Sequence, residues 1–324
     1  MEDYQSYLAK LHKSSTDDQF ISVVIKEATG KTIKSKRRII AGEVSEVYDV
    51  TLDNDQHVII RINRGDQPTY YQEKWAIAQC KKIGIPVPEI LLIKSTKEEN
   101  GFLSICVMEK IDGEPLERGA INFLEWDEKR RHKIIAQSGE VLAKIHSIKV
   151  NGYGSLDGEG NGKFDTFKSL MSHNLDKVED MMKIAKDISV PDKLMEKAFF
   201  ILEKENKKFD LPSVLTHSDY NVKHIMVDKE DTIVGIIDWG DVQGHSLERD
   251  FASWYYWFDE YIPTKWLIEG YSDKKVFEGD FEEIVHWYKI DQGLEIMHWY
   301  YLQKYENGVK AAVEKLKKDI LFFS

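Results

Sequence analysis

The stretch from His217 to Asp241, HSDYNVKHIMVDKEDTIVGIIDWGD, contains the residue types best suited to chemistry. Its pattern predicts a β-hairpin in which His224 begins the first strand and Asp238 ends the second, with Asp219 in the preceding loop. Because the open ends of a hairpin lie side by side, we expect His224 and Asp238 to be neighbours, with Asp219 beside them. Two carboxylates and an imidazole arranged in this way suit phosphoryl transfer, which needs a carboxylate to orient an acceptor hydroxyl and ligands for a metal on the nucleotide phosphates.

The residues before this stretch predict a β-rich region. The β-branched runs Val47–Leu52 and His57–Ile62 predict a hairpin. Tyr71–Ile83 predicts a helix that stops at Gly84. The helix has four candidate buried positions, Trp75, Ile77, Ala78 and Ile83. Further strands are predicted at Ile90–Ile93 and Gly101–Met108.

After Gly113 the pattern is mostly helical. Helices are predicted over His132–Ile148, within Phe164–Lys208 and over Tyr301–Phe323, and the glycine-rich Asn151–Lys163 is predicted to be a loop. We therefore expect a bilobal α+β architecture with a β-rich N-terminal lobe at residues 1–110 and a helical C-terminal lobe at residues 111–324. The hinge is expected near residues 108–113.

Two motifs resemble those of kinases. His217-Ser218-Asp219, followed after four residues by His224, resembles the H-x-D-x-x-x-x-N catalytic loop, and Asp238-Trp239-Gly240 resembles the D-F-G metal motif. The residues at the variable positions of both motifs resemble those of the aminoglycoside phosphotransferase family of small-molecule kinases. Three further segments resemble parts of this family in the expected order: the Ile85–Pro88 link, the Val107–Glu114 hinge and the Asp250–Ala252 segment. The resemblance covers residues 38 to 260 and implies a protein-kinase-like fold with a five-stranded-type N-terminal sheet.

The resemblance implies a role for each residue of the motifs. Asp219 would be the catalytic carboxylate that steers the acceptor hydroxyl, and Asp238 would chelate Mg²⁺ between the phosphates of ATP or GTP. His224 stands where the family usually has Asn, and imidazole suits Mg²⁺ less well than an amide oxygen does. Macrolide phosphotransferases resemble this chain in having His there. The alternative is that His224 is a structural histidine of the hairpin.

The resemblance also implies a nucleotide site in the β-rich lobe. Gly42 and Ser45 lie where a phosphate-binding loop is expected, although the segment has a single glycine. Arg61 takes the place of the usual strand lysine, with its side chain on the opposite face from Ile60 and Ile62, and Glu73 is its natural ion-pair partner. The alternative is an ordinary surface arginine and glutamate. The backbone at Glu109 and Ile111, in the hinge, would hold the nucleotide base.

Composition excludes several classes of protein. The chain has 324 residues, of which 42% are hydrophobic and 31% are charged, so it can build a sizeable core. A formal net charge of −11 argues against a nucleic-acid or anionic-membrane partner. The start resembles no secretory signal, and no apolar run is long enough to span a membrane. Cys80 and Cys106 have neither disulfide nor metal spacing, which is typical of a reducing compartment, so we expect a cytoplasmic protein.

Residues 241–300 hold most of the chain's net charge of −11, with 13 acidic and 5 basic residues, and they are rich in Trp and Tyr. Carboxylates with aromatic faces suit a cationic, sugar-like acceptor. The candidate contacts are Asp241, Glu248, Asp259 and Glu260. Asp250 is expected to be structural and to anchor a helix that begins near Phe251. The alternative is that the acids are solvated helix faces and the aromatic side chains are core.

The leading hypothesis is a kinase that moves the terminal phosphoryl group of ATP or GTP to a hydroxyl of a small molecule, with an aminoglycoside as the favoured acceptor. Macrolides, amino alcohols, homoserine and sugars are the other acceptors that the resemblance implies. A nucleotide-binding pseudokinase is the second hypothesis, because the glycine loop, Arg61 and His224 depart from the family pattern. Against it stands the retention of both Asp219 and Asp238, since clustered acids repel one another unless a cation lies between them. A metal hydrolase is the third.

Overall fold

The computed structural model describes residue 6 and residues 15–40, 45–117, 122–206 and 208–323. These residues form two compact units. The first holds the described residues up to Trp126 together with Val222–Gly240, and the second holds Asp127–Asn221 and the described residues from Asp241 onward. The chain therefore enters the first unit twice, whereas the division expected from sequence was a single cut near residue 110. The roles assigned to the two lobes stay predictions.

The helices and strands of the first unit along the chain are α1 (Asp18–Thr29), β1 (Ile33–Ile39), β2 (Glu46–Leu52), β3 (His57–Gly65), α2 (Tyr71–Lys82), β4 (Ile90–Glu98), β5 (Gly101–Glu109), β6 (Glu114–Pro115), β10 (Ile225–Val227) and β11 (Ile233–Ile236). The unit is built on an antiparallel sheet of five strands in the order β1-β2-β3-β5-β4. The predicted β2–β3 hairpin and the strands β4 and β5 are confirmed. A five-stranded sheet is what the resemblance implied.

Strand β3 separates the two faces of this sheet by the alternation of its side chains. Ile60 and Ile62 are buried in the core that also includes Ile21 and Ile25 of α1. Arg61 points to the other face, where its register partner on β5 is Cys106, and Cys106 packs in a second apolar cluster with Tyr70 and Met108. The prediction that Arg61 lies on the opposite face of the strand from Ile60 and Ile62 is confirmed, and Arg61 shares that face with Cys106.

Helix α2 lies where it is predicted, but its buried face differs from the expected one. It buries Glu73, Ala76, Ile77 and Cys80, which follow the i, i+3, i+4, i+7 spacing of one helix face. Of the four positions expected to be buried, Ile77 is buried, Trp75 is partly buried, and Ala78 and Ile83 are exposed. The buried face includes the charged Glu73, which a pattern of apolar residues does not reveal.

The predicted hairpin of the motif region is present as β10 and β11, in which Ile225 pairs with Ile236. Strand β6 adds to β10 and completes a three-stranded sheet in the order β11-β10-β6. The Ile85–Pro88 link contacts this sheet, because the Ile236 N–H donates to the Pro86 carbonyl at 2.9 Å. The hinge segment also packs here, where a Cβ on Gly235 would lie 2.2 Å from Ile111 Cδ1. Gly235 thus allows the close approach of the hinge to the hairpin.

The second unit is mostly helical. Its helices and strands are α3 (Glu128–His146), β7 (Tyr153–Leu156), β8 (Gly162–Phe164), α4 (Phe167–Leu175), α5 (Val178–Asp187), α6 (Asp192–Asn206), β9 (Val214–Thr216), β12 (Gln243–His245), α7 (Glu248–Trp257), α8 (Thr264–Gly270), α9 (Phe281–Leu302) and α10 (Glu306–Phe322). The four strands form a small sheet in the order β8-β7-β12-β9.

Two predictions for this unit were wrong in part. The segment Asn151–Lys163 is not wholly a loop, because it contributes β7 and the start of β8. A Cβ on Gly162 would lie 2.2 Å from the Tyr153 N, so here glycine serves close strand contact rather than a turn. The closing helix begins at Glu306 rather than at Tyr301, which belongs to α9. Lys304, with φ of 57°, lies in the turn between these two helices.

No helix in the described part of the chain is long and apolar enough to cross a membrane. Cys80 and Cys106 are both buried and free of disulfides.

A charge cluster of buried Arg249 and Asp291 with exposed Glu295 joins helices α7 and α9. Arg249 donates from Nη2 to Glu295 Oε2 at 3.0 Å. Burial, together with the charge of Glu295, raises the pKa of Asp291 to about 7, although Arg249 opposes this shift. Asp291 is therefore protonated in the folded protein over a pH range in which it is ionised in the unfolded chain.

We expect the Asp291→Asn substitution to remove this proton uptake. Between about pH 4 and about pH 7 the native state binds a proton that the unfolded state has lost, so the free energy of unfolding falls as pH rises, by up to about 1.4 kcal/mol per pH unit. The measurement is urea unfolding of the wild type and of Asp291→Asn at a series of pH values. The wild type should lose stability relative to the variant across this window, and the difference should level off above it.

Glu314→Gln is the control, because Glu314 is an exposed carboxylate on α10 that pairs with Lys317. Its stability should follow that of the wild type at every pH. Parallel curves for the wild type and Asp291→Asn would contradict the raised pKa.

Candidate active site

Arg61 is the centre of a charge cluster in the first unit. Its Nη1 donates to Glu73 Oε1 at 2.6 Å, and its Nη2 donates to Asp238 Oδ1 at 2.9 Å. The side chains of Arg61 and Glu73 are only 13% and 1% exposed, whereas that of Asp238 is 45% exposed. One guanidinium thus bridges a buried carboxylate and an accessible one. The predicted ion pair between Arg61 and Glu73 is present, and it is not an ordinary surface pair.

The cluster is strongly polarised by its burial. Burial acts to lower the pKa of Arg61, but the carboxylates of Glu73 and Asp238 outweigh it and raise that pKa above its ordinary value. Burial raises the pKa of the Glu73 carboxyl, which the charge of Arg61 opposes. Arg61 is therefore cationic throughout the physiological range and forms a fixed positive charge on this face of the sheet.

Tyr70 holds the guanidinium from one side. Its ring centroid lies 5.2 Å from the Arg61 guanidinium carbon, within range of a cation–π contact. Its hydroxyl lies 3.2 Å from Ser45 Oγ, and its backbone has a φ of 78° at the position before α2. A non-glycine residue in this region is uncommon and costs energy. Ser45 thus adjoins the Arg61 cluster, while Gly42 lies outside the described residues.

The hairpin brings His224 and Asp238 together, as predicted. The Ile237 N–H donates to the His224 carbonyl at 3.0 Å, and His224 Nε2 lies 3.4 Å from Asp238 Oδ2. The strands are slightly shorter than expected, so His224 directly precedes β10 and Asp238 lies just beyond β11. Asp238 has a φ of 64°, a strained conformation that turns the chain after β11.

The hinge follows strand β5. Glu109 donates its N–H to the Glu89 carbonyl at 2.8 Å. Lys110 Nζ donates to Asp49 Oδ2 at 2.9 Å, and Asp49 is also bound by His57 at 2.8 Å. This contact anchors the hinge segment to β2, and sequence reasoning missed it because Asp49 reads as an ordinary polar position of a strand. The role of Glu109 and Ile111 toward a nucleotide base stays a prediction.

The loop that carries Asp219 lies in the second unit and is held by Asp250. Asp250 Oδ1 accepts the Ser218 N–H at 2.6 Å, and Oδ2 accepts the His217 N–H at 2.9 Å and lies 3.0 Å from His146 Nε2. The Asp250 side chain is fully buried. Asp250 was expected to anchor the start of a helix, but α7 begins earlier, at Glu248. The carboxylate instead fixes the backbone of the loop.

Asp219 itself is partly exposed and is oriented by a neighbour. Asn221 Nδ2 donates to Asp219 Oδ1 at 2.8 Å and to the Asp219 carbonyl at 2.9 Å. Ser218, with φ of 65°, makes the preceding turn. Sequence reasoning missed Asn221, although an amide two residues after a key aspartate is the usual spacing for a local side-chain bond. The expectation that Asp219 lies beside His224 and Asp238 stays a prediction.

The four acids predicted to contact an acceptor have different surroundings. Glu248 is buried, and burial raises the pKa of its carboxyl. Asp259 accepts the Thr264 N–H at 2.7 Å, at the start of α8. Glu260 is exposed and pairs with Lys318 at 3.3 Å, and Asp241 is exposed. Glu248 and Asp259 thus have structural surroundings that account for them without a substrate.

The aromatic side chains of residues 241–300 divide in the same way. Trp254, Trp266 and Trp287 are buried, which supports the core alternative for them. Tyr261 and Trp299 are exposed. Tyr255, Trp257 and Tyr300 are partly exposed, so these three rings and the two exposed ones are the candidates for contact with a ligand.

The motif residues fit a divalent metal that is shared with phosphates. Asp238 offers an accessible carboxylate, which is the ligand type that Mg²⁺ prefers. Across the described ranges no group of three or more His, Cys, Asp or Glu side chains is arranged to hold a metal ion. Mg²⁺ commonly binds through one or two carboxylates together with substrate phosphates and water, and Asp238 suits that mode.

The sequence matches the family model described as the phosphotransferase enzyme family over residues 36–270. The chain belongs to this family. The match spans the sheet, the hairpin and the Asp219 loop, so the resemblance read from the motifs is confirmed. No curated protein sequence matches this phosphotransferase.

Solved structures confirm the protein-kinase-like α+β fold of this phosphotransferase. A thermostable mutant of aminoglycoside phosphotransferase APH(4)-Ia in its apo form matches with a TM-score of 0.74 and 15% identity over 94% of this chain and 99% of that chain. A ternary complex of such a mutant with AMP-PNP and hygromycin B matches with a TM-score of 0.72 and 16% identity over 93% of this chain and 97% of that chain. The gentamicin complex of APH(2")-IIa matches with a TM-score of 0.63 and 14% identity over 94% of this chain and 97% of that chain.

We expect Asp250→Asn to destabilise the phosphotransferase and to disorder the Asp219 loop. An amide can accept only one of the two backbone N–H bonds, and its NH₂ group faces the other donor. The expected loss is about 2–4 kcal/mol of unfolding free energy, measured by urea denaturation, with faster hydrogen exchange at the Ser218 amide.

The control is Asp180→Asn, at an exposed pair with Lys183 on α5, which should change the free energy of unfolding by less than about 0.5 kcal/mol. Equal stability of the two variants would contradict the anchoring role.

Proposed function

We propose that this phosphotransferase is a Mg²⁺-dependent small-molecule kinase that moves the terminal phosphoryl group of ATP or GTP to a hydroxyl of a cationic small molecule, with an aminoglycoside as the favoured acceptor. The observation that carries the proposal is the bridge from Glu73 through Arg61 to Asp238. A fixed cation beside an accessible carboxylate is suited to a phosphate chain and the metal that the phosphates carry.

In this proposal Arg61 binds nucleotide phosphate. Glu73 is buried below it and orients the guanidinium. The guanidinium has five N–H donors in one plane, so Arg61 can keep its bond from Nη1 to Glu73 and still donate from Nη2 to phosphate oxygens. Ser45 would add a hydroxyl donor from the segment that leads into β2.

Asp238 and His224 would hold Mg²⁺ together with phosphate oxygens. When bound, the ion neutralises charge that develops on the phosphates during transfer. Asp238 supplies the hard oxygen ligand, and His224 faces its second oxygen at 3.4 Å. In that position His224 either ligates the metal or orients the carboxylate.

Asp219 would accept or steer the proton of the acceptor hydroxyl. The Asn221 amide fixes one of its oxygens, which orients the carboxylate for this role. In this proposal the phosphoryl group passes directly to the acceptor without a covalent enzyme intermediate. Such in-line transfer requires the acceptor hydroxyl to be held in line with the bond that breaks. The fixing of the loop backbone by Asp250 serves this requirement.

The acceptor class rests on charge. Residues 241–300 carry an excess of eight negative charges, and an acidic surface raises the local concentration of a cation. The solved relatives include complexes with hygromycin B, gentamicin and kanamycin. We therefore favour an acceptor with several amino groups, and we place Asp241 and Glu260 before Glu248 and Asp259 as contacts because they are exposed.

The test is Mg²⁺-dependent transfer of labelled phosphate from ATP and, separately, from GTP to a panel of aminoglycosides, macrolides, amino alcohols, homoserine and sugars. Asp219→Asn should lower kcat by at least about 100-fold with nucleotide affinity nearly unchanged. Asp238→Asn should also lose the metal dependence of nucleotide binding. Glu230→Gln is the matched control, because it lies at the closed end of the same hairpin, and it should leave both quantities unchanged.

Each outcome of the panel decides something. A phosphorylated aminoglycoside supports the full proposal, and transfer to another acceptor alone contradicts the favoured acceptor but retains the kinase. Nucleotide binding without transfer to any acceptor contradicts the kinase and supports a pseudokinase. Wild-type turnover in both Asp219→Asn and Asp238→Asn would show that the site is assigned wrongly.

A further inference from the structure

We propose that Arg61 makes the Asp238 site selective for a metal–nucleotide complex over the free metal ion. The proposal rests on the proposed function, in which Asp238 is a ligand of Mg²⁺. It concerns the residue by which this chain departs from the lysine usual at the strand position. Because the guanidinium of Arg61 bonds to both Glu73 and Asp238, we expect it to affect whether the metal can bind before the nucleotide.

Arg61 already acts as the counter-cation of Asp238. Its Nη2 lies 2.9 Å from Asp238 Oδ1, while its Nη1 remains 2.6 Å from Glu73. A lysine ammonium can also donate to two carboxylates, but from one nitrogen on a flexible stem, so it does not hold them in the fixed planar arrangement of a guanidinium. The Asp238 oxygen on the side of Arg61 is therefore paired before any metal arrives.

The guanidinium has little freedom to withdraw. Tyr70 lies against it at 5.2 Å, and its Nη1 is tied to Glu73, which is almost fully buried. The turn after β11 lies nearby, since a Cβ added at Gly240 would be 3.4 Å from Nη2, but glycine itself has no side chain to restrain the guanidinium. Arg61 is thus held in place by Glu73 and Tyr70.

A free divalent cation at Asp238 would meet this fixed charge. A cation that binds Asp238 must displace Nη2 or share the carboxylate with it, at a separation where like charges repel one another even in water. The phosphates of a nucleotide remove the conflict, because they offer acceptors to Nη2 and compensate both cations. Metal and nucleotide should therefore strengthen each other's binding through Arg61.

The test measures the coupling between the two ligands. Mn²⁺ serves as the probe, and its dissociation constant is measured by electron paramagnetic resonance with and without saturating AMP-PNP, corrected for the metal bound by AMP-PNP in solution. Reciprocity requires that AMP-PNP affinity with and without Mn²⁺ gives the same coupling factor. This readout needs no catalytic turnover.

In the wild type we expect weak binding of Mn²⁺ alone and a coupling factor of about 100 or more. Arg61→Lys should lower the coupling by about tenfold, mainly because Mn²⁺ alone binds more tightly. Arg64→Lys is the matched control, since Arg64 lies on the same strand and pairs with Glu46 at 2.7 Å. It should leave the coupling unchanged.

A second variant guards against loss of folding. Arg61→Gln combined with Glu73→Gln removes both buried charges together, so no carboxylate is left buried without a partner. It should bind free Mn²⁺ at least as tightly as Arg61→Lys does. If both variants bind free Mn²⁺ as weakly as the wild type, with unchanged coupling, the role of Arg61 is refuted.

Failure of the proposed function would look different. In that case Asp238→Asn would leave Mn²⁺ and AMP-PNP binding unchanged, whatever residue stands at position 61. If Asp238→Asn abolishes the coupling, the metal site at Asp238 is supported. If Arg61→Lys then leaves the coupling unchanged, only the proposed selectivity role of Arg61 is refuted.

Discussion

The guanidinium of Arg61 carries its charge where most water has been excluded, and the candidate nucleotide site depends on how that charge is balanced. A buried arginine costs several kcal/mol unless well-placed carboxylates accept its hydrogen bonds. Glu73 provides the permanent partner because α2 packs its first turn against the sheet. Asp238, being accessible, is the partner that can exchange. Strand, helix and hairpin are thus positioned by one electrostatic requirement.

The second unit also contains a buried charge that needs hydrogen-bond partners, and here the charge is a carboxylate. Asp250 is fully buried and is compensated by two backbone N–H groups and the His146 imidazole. This set of donors holds Ser218 in a left-handed conformation that it would rarely adopt alone. Charge that is costly to bury is used in both units to fix backbone in strained positions beside the residues of the motifs. Strain of this kind persists only where its surroundings over-determine it.

Local rules predicted the parts of the site that depend on local geometry. Alternation along β3 predicted that Arg61 faces away from Ile60 and Ile62, and the pairing of hairpin ends predicted that His224 lies near Asp238. The same rules misplaced the buried face of α2, because a charged residue was not counted as a buried one. The partner of a buried charge is a tertiary contact, and helix periodicity alone does not reveal it.

Long-range contacts account for the remaining differences. Asp250 was correctly expected to be structural, but its partners at His217 and Ser218 are more than 30 residues away in sequence. The Lys110–Asp49 contact that anchors the hinge spans 61 residues. Propensity and spacing report on neighbours along the chain, so they cannot specify such pairs. The resemblance to a kinase family supplied the order of the parts but not these contacts.

The acidic residues of the segment 241–300 act on an acceptor in two ways, through direct contact and through their long-range field. Glu248 is buried and Asp259 binds a helix terminus, so neither needs a ligand to explain it. Neutral partners do not cancel the charge of Asp259, however, and the long-range field of the segment attracts cations whichever residue finally touches them. The field therefore bears on the class of acceptor and on its rate of arrival. The geometry of recognition depends instead on the exposed acids and aromatic rings, which is why the acceptor panel has to include neutral molecules as well as cations.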